Sequence, residues 1–363
     1  MHTNNLALLI IAGGRSSRMG QDKRLLPWRD MSLLENSLAQ GKAAGFDEIY
    51  LCVETTSPFL TELAEKYAAV LLTDAEQGMG PVSGLYNGLQ TMQSPWALAI
   101  ASDMPFLHPA ELIRWAENLP PDKLALLPEA AGQLQTLTAF YHKKAAPFFQ
   151  TAIAEANLTI YKILAGMPHL QRPFTGSKSI FFNINTPADW RLAQGRAANM
   201  QRKIPLIGIT APASGTGKTT FIEKLLPRLA AHGLKTGVVK SDRHGFNLDM
   251  QGKDSFRFTQ AGAKSVAVIS PSGWFMLQKE PQPLPLENLA AKMDGVDLIL
   301  TESRSQYAQP AISLWRGKEI PQLNEKTAVL FSSHPHTNNP YIYEFHIDDT
   351  EKAVEICLFL MGR

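Results

Sequence analysis

Two glycine-bearing loops carry residues suited to polyphosphate chemistry. The first follows the apolar run Leu6–Ala12 and reads Ala12-Gly13-Gly14-Arg15-Ser16-Ser17-Arg18-Met19-Gly20-Gln21-Asp22-Lys23. Gly13 and Gly14 let the backbone pass close to a ligand and turn its N–H groups toward phosphate oxygens. Arg18 and Lys23 add cations that neutralise a triphosphate. A glycine pair alone would suit any turn, but a strand, a glycine pair and two spaced cations together are far more specific. Asp103 follows the apolar run Trp96–Ser102. At the carboxyl end of a buried parallel strand it would lie in the crevice where open α/β sheets bind ligands, and it could hold Mg²⁺ against an α-phosphate. A turn aspartate before Met104-Pro105 is the competing reading.

The second loop is Pro212-Ala213-Ser214-Gly215-Thr216-Gly217-Lys218-Thr219-Thr220. It is a Walker A loop with Pro212 at the first glycine position. Amides of the stretch Gly215, Gly217, Lys218, Thr219 and Thr220 would cradle a β-phosphate at a helix N-terminus. Lys218 would reach the β- and γ-phosphates and Thr219 could ligate Mg²⁺.

The elements that must position these loops are legible as an alternation. Strands are predicted at Leu6–Ala12, Glu48–Val53, Ala68–Thr73, Trp96–Ser102, Thr136–His142 and Ser179–Asn185, with a first crossover helix over Ser32–Ala44. After a basic, polar stretch the pattern restarts. Strands are predicted at Ile204–Ala211, Lys235–Lys240, Ser265–Ile269, Val296–Thr301 and Ala328–Ser332, with a helix from Thr219 carrying Phe221, Ile222, Leu225, Leu226 and Leu229 on one face. Such alternation predicts mainly parallel sheets covered on both faces. The expected organisation is a first domain over 1–195, a linker over 196–203 read as a solvated connector, and a second domain over 204–363.

Length and composition bound the rest. At 363 residues, two domains are expected. A net charge of +2 gives no sign of the basic face that nucleic acid requires. No apolar run reaches the roughly 18 residues of a membrane span, and Leu6–Ala12 leads into glycines and basic residues unlike a secretory signal, so a cytoplasmic protein is expected. The two cysteines, Cys52 and Cys357, fall outside any CxxC pair and read as buried thiols. His334 and His336 read as part of an exposed turn.

The first loop resembles that of the molybdenum cofactor guanylyltransferase (MobA) family, roughly LAGGxSxRMGxDK, with Ile11 at the usual leucine. Further motifs follow in order. Gly80-Pro81-Val82-Ser83-Gly84 with Gly88-Leu89 resembles GPLxG and is preceded by Asp74; Asp103-Met104-Pro105-Phe106 matches DMPF. Leu137-Thr138-Ala139-Phe140-Tyr141 resembles LxALY, and Asn183-Ile184-Asn185-Thr186-Pro187 resembles NxNTP. The resemblance covers about 5–192. It implies a Rossmann-like nucleotidyltransferase in which Ile11, Ala12 and Gly13 meet the base through their backbone. Gly14 and Arg18 belong to the same loop, Lys23 and Asp74 to the nucleotide site, and Asn183 and Asn185 to the metal or pterin side. Glu54 stands where that family often has an asparagine; Met19 and Trp28 read as packing residues.

The second half, about 204–360, resembles the molybdopterin-guanine dinucleotide accessory protein (MobB) family, P-loop GTPase-like proteins. Gly252-Lys253-Asp254-Ser255 with Arg257 and Ala261-Gly262-Ala263 resembles GKDSxR…AGA. Asp297-Leu298-Ile299-Leu300-Thr301-Glu302 resembles the Walker-B-like DLVLVEGFK, which makes Glu302 a metal candidate beside Thr219. Pro310-Ala311-Ile312 with Arg316 resembles PKIxxxR. Ser303 and Ser305 replace the Gly and Lys of EGFK, and Lys240-Ser241-Asp242-Arg243-His244 replaces KHTHH. Asp242 is either a Mg²⁺-associated acid or an exposed turn residue.

Together the resemblances imply two doubly wound α/β domains, a nucleotidyltransferase and a P-loop NTPase. The expected reaction is GTP plus molybdopterin cofactor, assisted by Mg²⁺, giving the guanine dinucleotide and pyrophosphate. Expected partners are these small molecules, molybdopterin-loading proteins, apo-molybdoenzymes and a second copy of the chain, with no nucleic acid or membrane. A cytidylyltransferase ranks lower because that family usually reads AAG at Ala12-Gly13-Gly14. A non-catalytic carrier fits the replacements at Ser303 and Ser305 but not Lys23 and Asp103. A stand-alone P-loop kinase lacks a second substrate site.

Overall fold

The structure, a computed structural model, describes residues 5–13, 19–20, 22–74, 78–241, 254–280, 282, 284–302, 310–319, 321–336 and 339–363. Gly14, Arg18, Asp242, Ser303 and Ser305 lie outside the described residues. The chain divides into two compact units, the second comprising Gln194–Gly362.

The first unit contains strands β1 (Leu6–Ile11), β2 (Pro27–Trp28), β3 (Met31–Ser32), β4 (Ile49–Val53), β5 (Val70–Thr73), β6 (Trp96–Ala101), β7 (Ala125–Ala130), β8 (Gln133–Leu134), β9 (Ala139–His142) and β10 (His169–Pro173). Its helices are α1 (Leu33–Ala43), α2 (Pro58–Lys66), α3 (Gly80–Thr91), α4 (Pro109–Ala116), α5 (Ala146–Ala154) and α6 (Ile160–Ala165). The main sheet runs β10-β7-β9-β6-β1-β4-β5, with β8 paired to β7. Strands β6, β1, β4 and β5 are parallel, and β9 runs antiparallel between β6 and β7.

Every residue of β1 is buried because the sheet is covered on both faces. Leu6, Leu8 and Ile10 enter one core with Leu34 and Leu38 of α1, Leu60 of α2 and Leu112 of α4. Ala7, Leu9 and Ile11 enter the other with Val82, Leu85 and Leu89 of α3 and Phe149 of α5. This two-residue alternation is what places helices on both sides and makes the unit doubly wound. Helix α3 lies close to the sheet because it presents glycines there. A Cβ on Gly88 would come 2.8 Å from Leu9 Cδ1, and one on Gly84 would come 3.2 Å from Cys52 Cβ.

The predicted strand Ser179–Asn185 does not form. Lys178–Phe181 is a 3₁₀ turn, and the segment behind it is held by other bonds. Ile184 N–H donates to Asp103 O at 2.9 Å, and the Asn185 and Thr186 N–H groups donate to Asp189 Oδ2 at 2.9 and 2.7 Å. Ile180, Phe181 and Ile184 are buried, so the apolar run satisfies its burial without joining a ladder. Five strands of this unit, β2, β3, β7, β8 and β10, fall outside the strands predicted from sequence.

Helix α7 (Pro187–Met200) covers much of the expected linker 196–203, and the division between units falls within it. Its last turns are not a solvated connector. Arg196 is buried with its guanidinium over the Phe359 ring at 5.0 Å. Asn199 Nδ2 donates to Leu360 O at 3.1 Å, and Asn199 Oδ1 accepts from Leu206 N–H at 3.0 Å. A Cβ on Gly195 would come 2.6 Å from Pro310 Cβ. Polar composition concealed this because the buried Asn199 amide is partnered by backbone.

The second unit continues with β11 (Leu206–Thr210), α8 (Lys218–Ala231), β12 (Thr236–Lys240), α9 (Asp254–Gln260), β13 (Ser265–Ser270), β14 (Gly273–Gln278), α10 (Leu286–Ala290), β15 (Leu298–Glu302), β16 (Ala311–Trp315), β17 (Thr327–Ser332), β18 (Tyr343–His346) and α11 (Thr350–Met361). Its sheet runs β12-β15-β11-β16-β17-β18, and every neighbouring pair is parallel. Helix α8 packs through Phe221 against Phe331, with ring centroids 5.4 Å apart, and Ala290 of α10 packs with Leu206 and Ile299. The predicted strand near Ser265 exists, and among the described residues it pairs with β14 alone, as an antiparallel hairpin outside the main sheet. Among the described residues no helix is long and apolar enough to cross a membrane.

Candidate active site

In the first unit, the carboxyl ends of β1 and β6 open into a cavity of about 340 Å³. Its lining includes Ile11, Ala12 and Gly13 from the end of β1, Asp103 from the end of β6, and Lys23, Asn183 and Asn185. Residues far apart in sequence thus meet where a doubly wound sheet collects ligands. Lys23 sits on a 3₁₀ turn, Lys23–Leu25, which Asp22 caps by accepting from Arg24 N–H at 3.0 Å. Its ammonium donates to Asp103 Oδ2 at 2.6 Å, to Asn185 Oδ1 at 3.3 Å and to Ile184 O at 3.5 Å. Both members of the ion pair are largely covered, with side chains 21% and 17% exposed. Partial burial strengthens the attraction over that of a surface pair.

Two oxygens here stand out. Among the described residues, Asp103 Oδ1 and Asn183 Oδ1 are buried without a hydrogen-bond partner. Leaving a buried acceptor unsatisfied is costly, and at a site it signals a missing donor or cation. The set Asp103, Asn183 and Asn185 is all oxygen and includes one carboxylate, which suits a hard divalent ion such as Mg²⁺. Among the described residues there is no cluster of three or more His, Cys, Asp or Glu that would form a cage by itself.

Asp74 stands apart from that cavity lining. Its Oδ1 accepts from Ser83 Oγ at 2.8 Å and Asn87 Nδ2 at 3.3 Å, both on α3. Burial pushes its carboxyl above the ordinary aspartate range against the Ser83 hydrogen bond; the Glu54 charge adds to the push and the Asn87 bond opposes it. Glu54 Oε1 accepts from Gly78 N–H at 2.9 Å. Met19 and Trp28 are buried, Trp28 lying edge-on to Phe106 at 5.4 Å.

Asp189 was absent from the residues singled out by sequence. Its Oδ2 accepts from Asn185 N–H, Thr186 N–H and Thr186 Oγ1 at 2.9, 2.7 and 2.9 Å, and Thr186 Oγ1 accepts from Asp189 N–H at 3.2 Å. This reciprocal cap at the start of α7 fixes the turn bearing both asparagines. Its signal was present as Thr186-Pro187-Ala188-Asp189, a capping-box spacing. Gln135 and Thr136 form a further wall of the cavity that sequence reasoning missed; nothing in their residue types marks them.

In the second unit, β11 leads through Gly215 and Gly217, with φ of 71° and 95°, into α8 at Lys218. Only glycine adopts such angles without strain. Lys218 is buried, while Thr219 and Thr220 are exposed at the first turn. Thr219 Oγ1 donates to the Glu302 carboxylate, 3.0 Å from each oxygen, and Lys240 Nζ lies 4.0 Å from Glu302 Oε2. Glu302 ends β15, whose neighbour β11 carries the loop, so adjacent parallel strands deliver the hydroxyl and the acid together. His336 Nδ1 lies 3.1 Å from Glu344 Oε2. Both cysteines are buried free thiols.

A doubly wound unit with a lysine–aspartate pair at its strand ends, followed by a P-loop unit, defines a fusion of two nucleotide-handling domains. Residues 8–171 match the MobA-like NTP transferase domain, and residues 206–332 match molybdopterin guanine dinucleotide synthesis protein B. The chain is 36% identical to the molybdopterin-guanine dinucleotide biosynthesis adapter protein of Haemophilus influenzae over 38% of its own length and 79% of that relative. It is 31% identical to a probable molybdenum cofactor guanylyltransferase of a Nostoc species over 53% of its own length and 92% of that relative. It is 33% identical to another, from Trichormus variabilis, over 53% and 92% of the two chains. The chain therefore belongs to the molybdenum cofactor guanylyltransferase family through its first half and to the molybdopterin-guanine dinucleotide adapter protein family through its second. Its first unit is a nucleotidyltransferase domain.

Proposed function

We propose that the first unit transfers GMP from GTP to the terminal phosphate of molybdopterin cofactor, releasing pyrophosphate, and that the second is a GTP-binding accessory unit. The observation that carries the reading is the cavity in which Lys23, Asp103, Asn183 and Asn185 face the backbone of Ile11, Ala12 and Gly13. A phosphate monoester oxygen of the pterin attacks the α-phosphorus of GTP. The bond from that phosphorus to the oxygen bridging to the β-phosphate breaks, and pyrophosphate leaves with the electron pair. The nucleophile is already anionic near neutral pH, so no general base is required, and positioning with charge neutralisation is the work left to the protein.

In this reading the Ile11–Gly13 backbone meets the base, with Gly14 and Arg18 completing the loop, and Asp74 belongs to the nucleotide site. Asp103 and the Asn183–Asn185 turn hold Mg²⁺, whose bound charge supplies neutralisation of the triphosphate oxygens. Lys23, paired with Asp103 at 2.6 Å, is the cation that would meet the phosphates. Gly215, Gly217, Lys218, Thr219 and Thr220 hold the second nucleotide, with Thr219 and Glu302 at its metal. Molybdopterin-loading proteins and apo-molybdoenzymes are the proposed partners, in the cytoplasm. A second copy of the chain is proposed through the β13–β14 hairpin. Ile269 and Trp274 are 85% and 72% exposed there, an apolar surface that single soluble chains seldom leave uncovered.

The test is an endpoint assay with the purified chain, Mg²⁺, molybdopterin cofactor and GTP, CTP or ATP supplied separately, reading dinucleotide and pyrophosphate. Product with GTP alone is expected. Product with CTP would move the chain to cytidylyl transfer. Tight GTP binding with no product from any nucleotide would replace transfer by carriage.

A further inference from the structure

Arg316 follows β16 and reaches back to the P-loop of the second unit. Its Nε donates to Thr216 O at 2.9 Å. Its Nη2 lies 3.2 Å from where a Cβ on Gly217 would stand. Its own backbone is held in turn, because Arg316 O accepts from Ser333 Oγ at 3.1 Å and Trp315 O from Ser333 N–H at 3.1 Å. Thr216 is also fixed from the other side, its Oγ1 donating to Ala213 O at 2.8 Å.

The chemistry follows from the peptide unit. The carbonyl of Thr216 and the N–H of Gly217 belong to one planar trans amide and point to opposite edges of it. A guanidinium on the carbonyl edge draws electron density toward the oxygen and makes the N–H on the far edge a stronger donor. In a P-loop those N–H groups are the phosphate ligands. A cation behind the loop therefore strengthens the cradle without touching the ligand, and it pins the positive φ that Gly217 adopts.

We propose that Arg316 is a positioning residue for the P-loop, which preorganises and polarises the Thr216–Gly217 peptide for the β-phosphate. The proposal rests on the nucleotide-binding reading of that loop. Because the action is on the loop and not on the γ-phosphate, GDP and GTP should depend on Arg316 alike.

The experiment is calorimetric titration of the full chain with GTP and with GDP in Mg²⁺. The binding component that Lys218→Ala removes defines the P-loop site; if that variant removes none, the nucleotide-binding reading fails and the proposal with it. With that component in hand, Arg316→Ala is expected to weaken it about tenfold for both GTP and GDP. Arg316→Lys, which keeps a cation and a donor, should stay within about threefold of the unsubstituted chain. Loss for GTP with GDP unchanged would mean that Arg316 contacts the γ-phosphate directly, and unchanged affinity for both would leave it no role; either result overturns the proposal. A lysine variant as weak as the alanine variant, with melting temperature unchanged, would also count against it.

Discussion

The two phosphate loops of this chain solve one problem in different ways. Both leave a buried central strand of a doubly wound sheet, β1 in the first unit and β11 in the second. The second loop then enters helix α8 directly at Lys218, so backbone amides and a helix terminus would face a bound phosphate and side chains would need little reach. The first ends on a 3₁₀ turn instead, and its lysine crosses to an aspartate from another strand end, over a cavity of about 340 Å³. The acids differ accordingly. Asp103 faces an ammonium at 2.6 Å, whereas Glu302 faces the Thr219 hydroxyl at 3.0 Å. In the proposed reading, a close backbone cradle would grip one polyphosphate. A side-chain site with open volume would leave room for a second substrate beside the first, as group transfer would require.

The largest expected effect tests that division. Lys23→Ala or Asp103→Ala should lower guanylyl transfer by roughly a thousandfold or more, with circular dichroism unchanged. Turnover within tenfold of the parent in either variant would remove both from the reaction. Asp189→Ala comes next. It strips the acceptor from the Asn185 and Thr186 N–H groups, so transfer should fall about tenfold through loosened positioning, with a loss of about 1 kcal/mol in stability from the cap. Asp189→Asn, which keeps an acceptor, should restore most of the stability. If transfer is unchanged in the alanine variant, the turn does not need its cap. Lys218→Ala is smaller still for transfer. GTP binding at the second unit should weaken strongly while transfer drops only a few-fold; equal losses in both would show that the units act as one site.

Much of this arrangement was legible beforehand, and for a physical reason. Motifs that work through backbone, such as Gly13 and Gly215-Thr216-Gly217-Lys218, must be contiguous, so sequence displays them. The central strands were legible because burial on both faces makes them continuous apolar runs, as in Leu6–Ile11. What escaped depends on partners distant in sequence. Arg196 and Asn199 look like connector residues until Phe359 and Leu360 are placed beside them. The run Ile180–Ile184 has strand composition, yet Asp103 and Asp189 claim its neighbouring donors. Gln135 and Thr136 border the cavity only because β8 and β9 return to it.

The smallest expected effect concerns Asp74, and its sign is informative. Burial raises the Asp74 carboxyl above its ordinary range, although Ser83 and Asn87 donate to it. The folded chain therefore binds that proton more readily than the unfolded chain does. Above the folded pKa both states carry the charge and the fold bears its desolvation cost. As pH falls through the folded pKa that cost is relieved, and below the unfolded value, near 4, it is gone. Asp74→Asn keeps an acceptor for both donors and removes the charge. It should raise the melting temperature by about 1–3 °C near neutral pH, with the gain vanishing below about pH 4. If Asp74 serves the nucleotide site, the same variant should bind GTP more weakly in the first unit. A chain that is stabilised yet binds less well marks a charge kept for the ligand at the expense of the free fold. A variant destabilised at every pH would instead assign Asp74 to holding α3, and the first site would be left with Lys23 and Asp103 as its charged core.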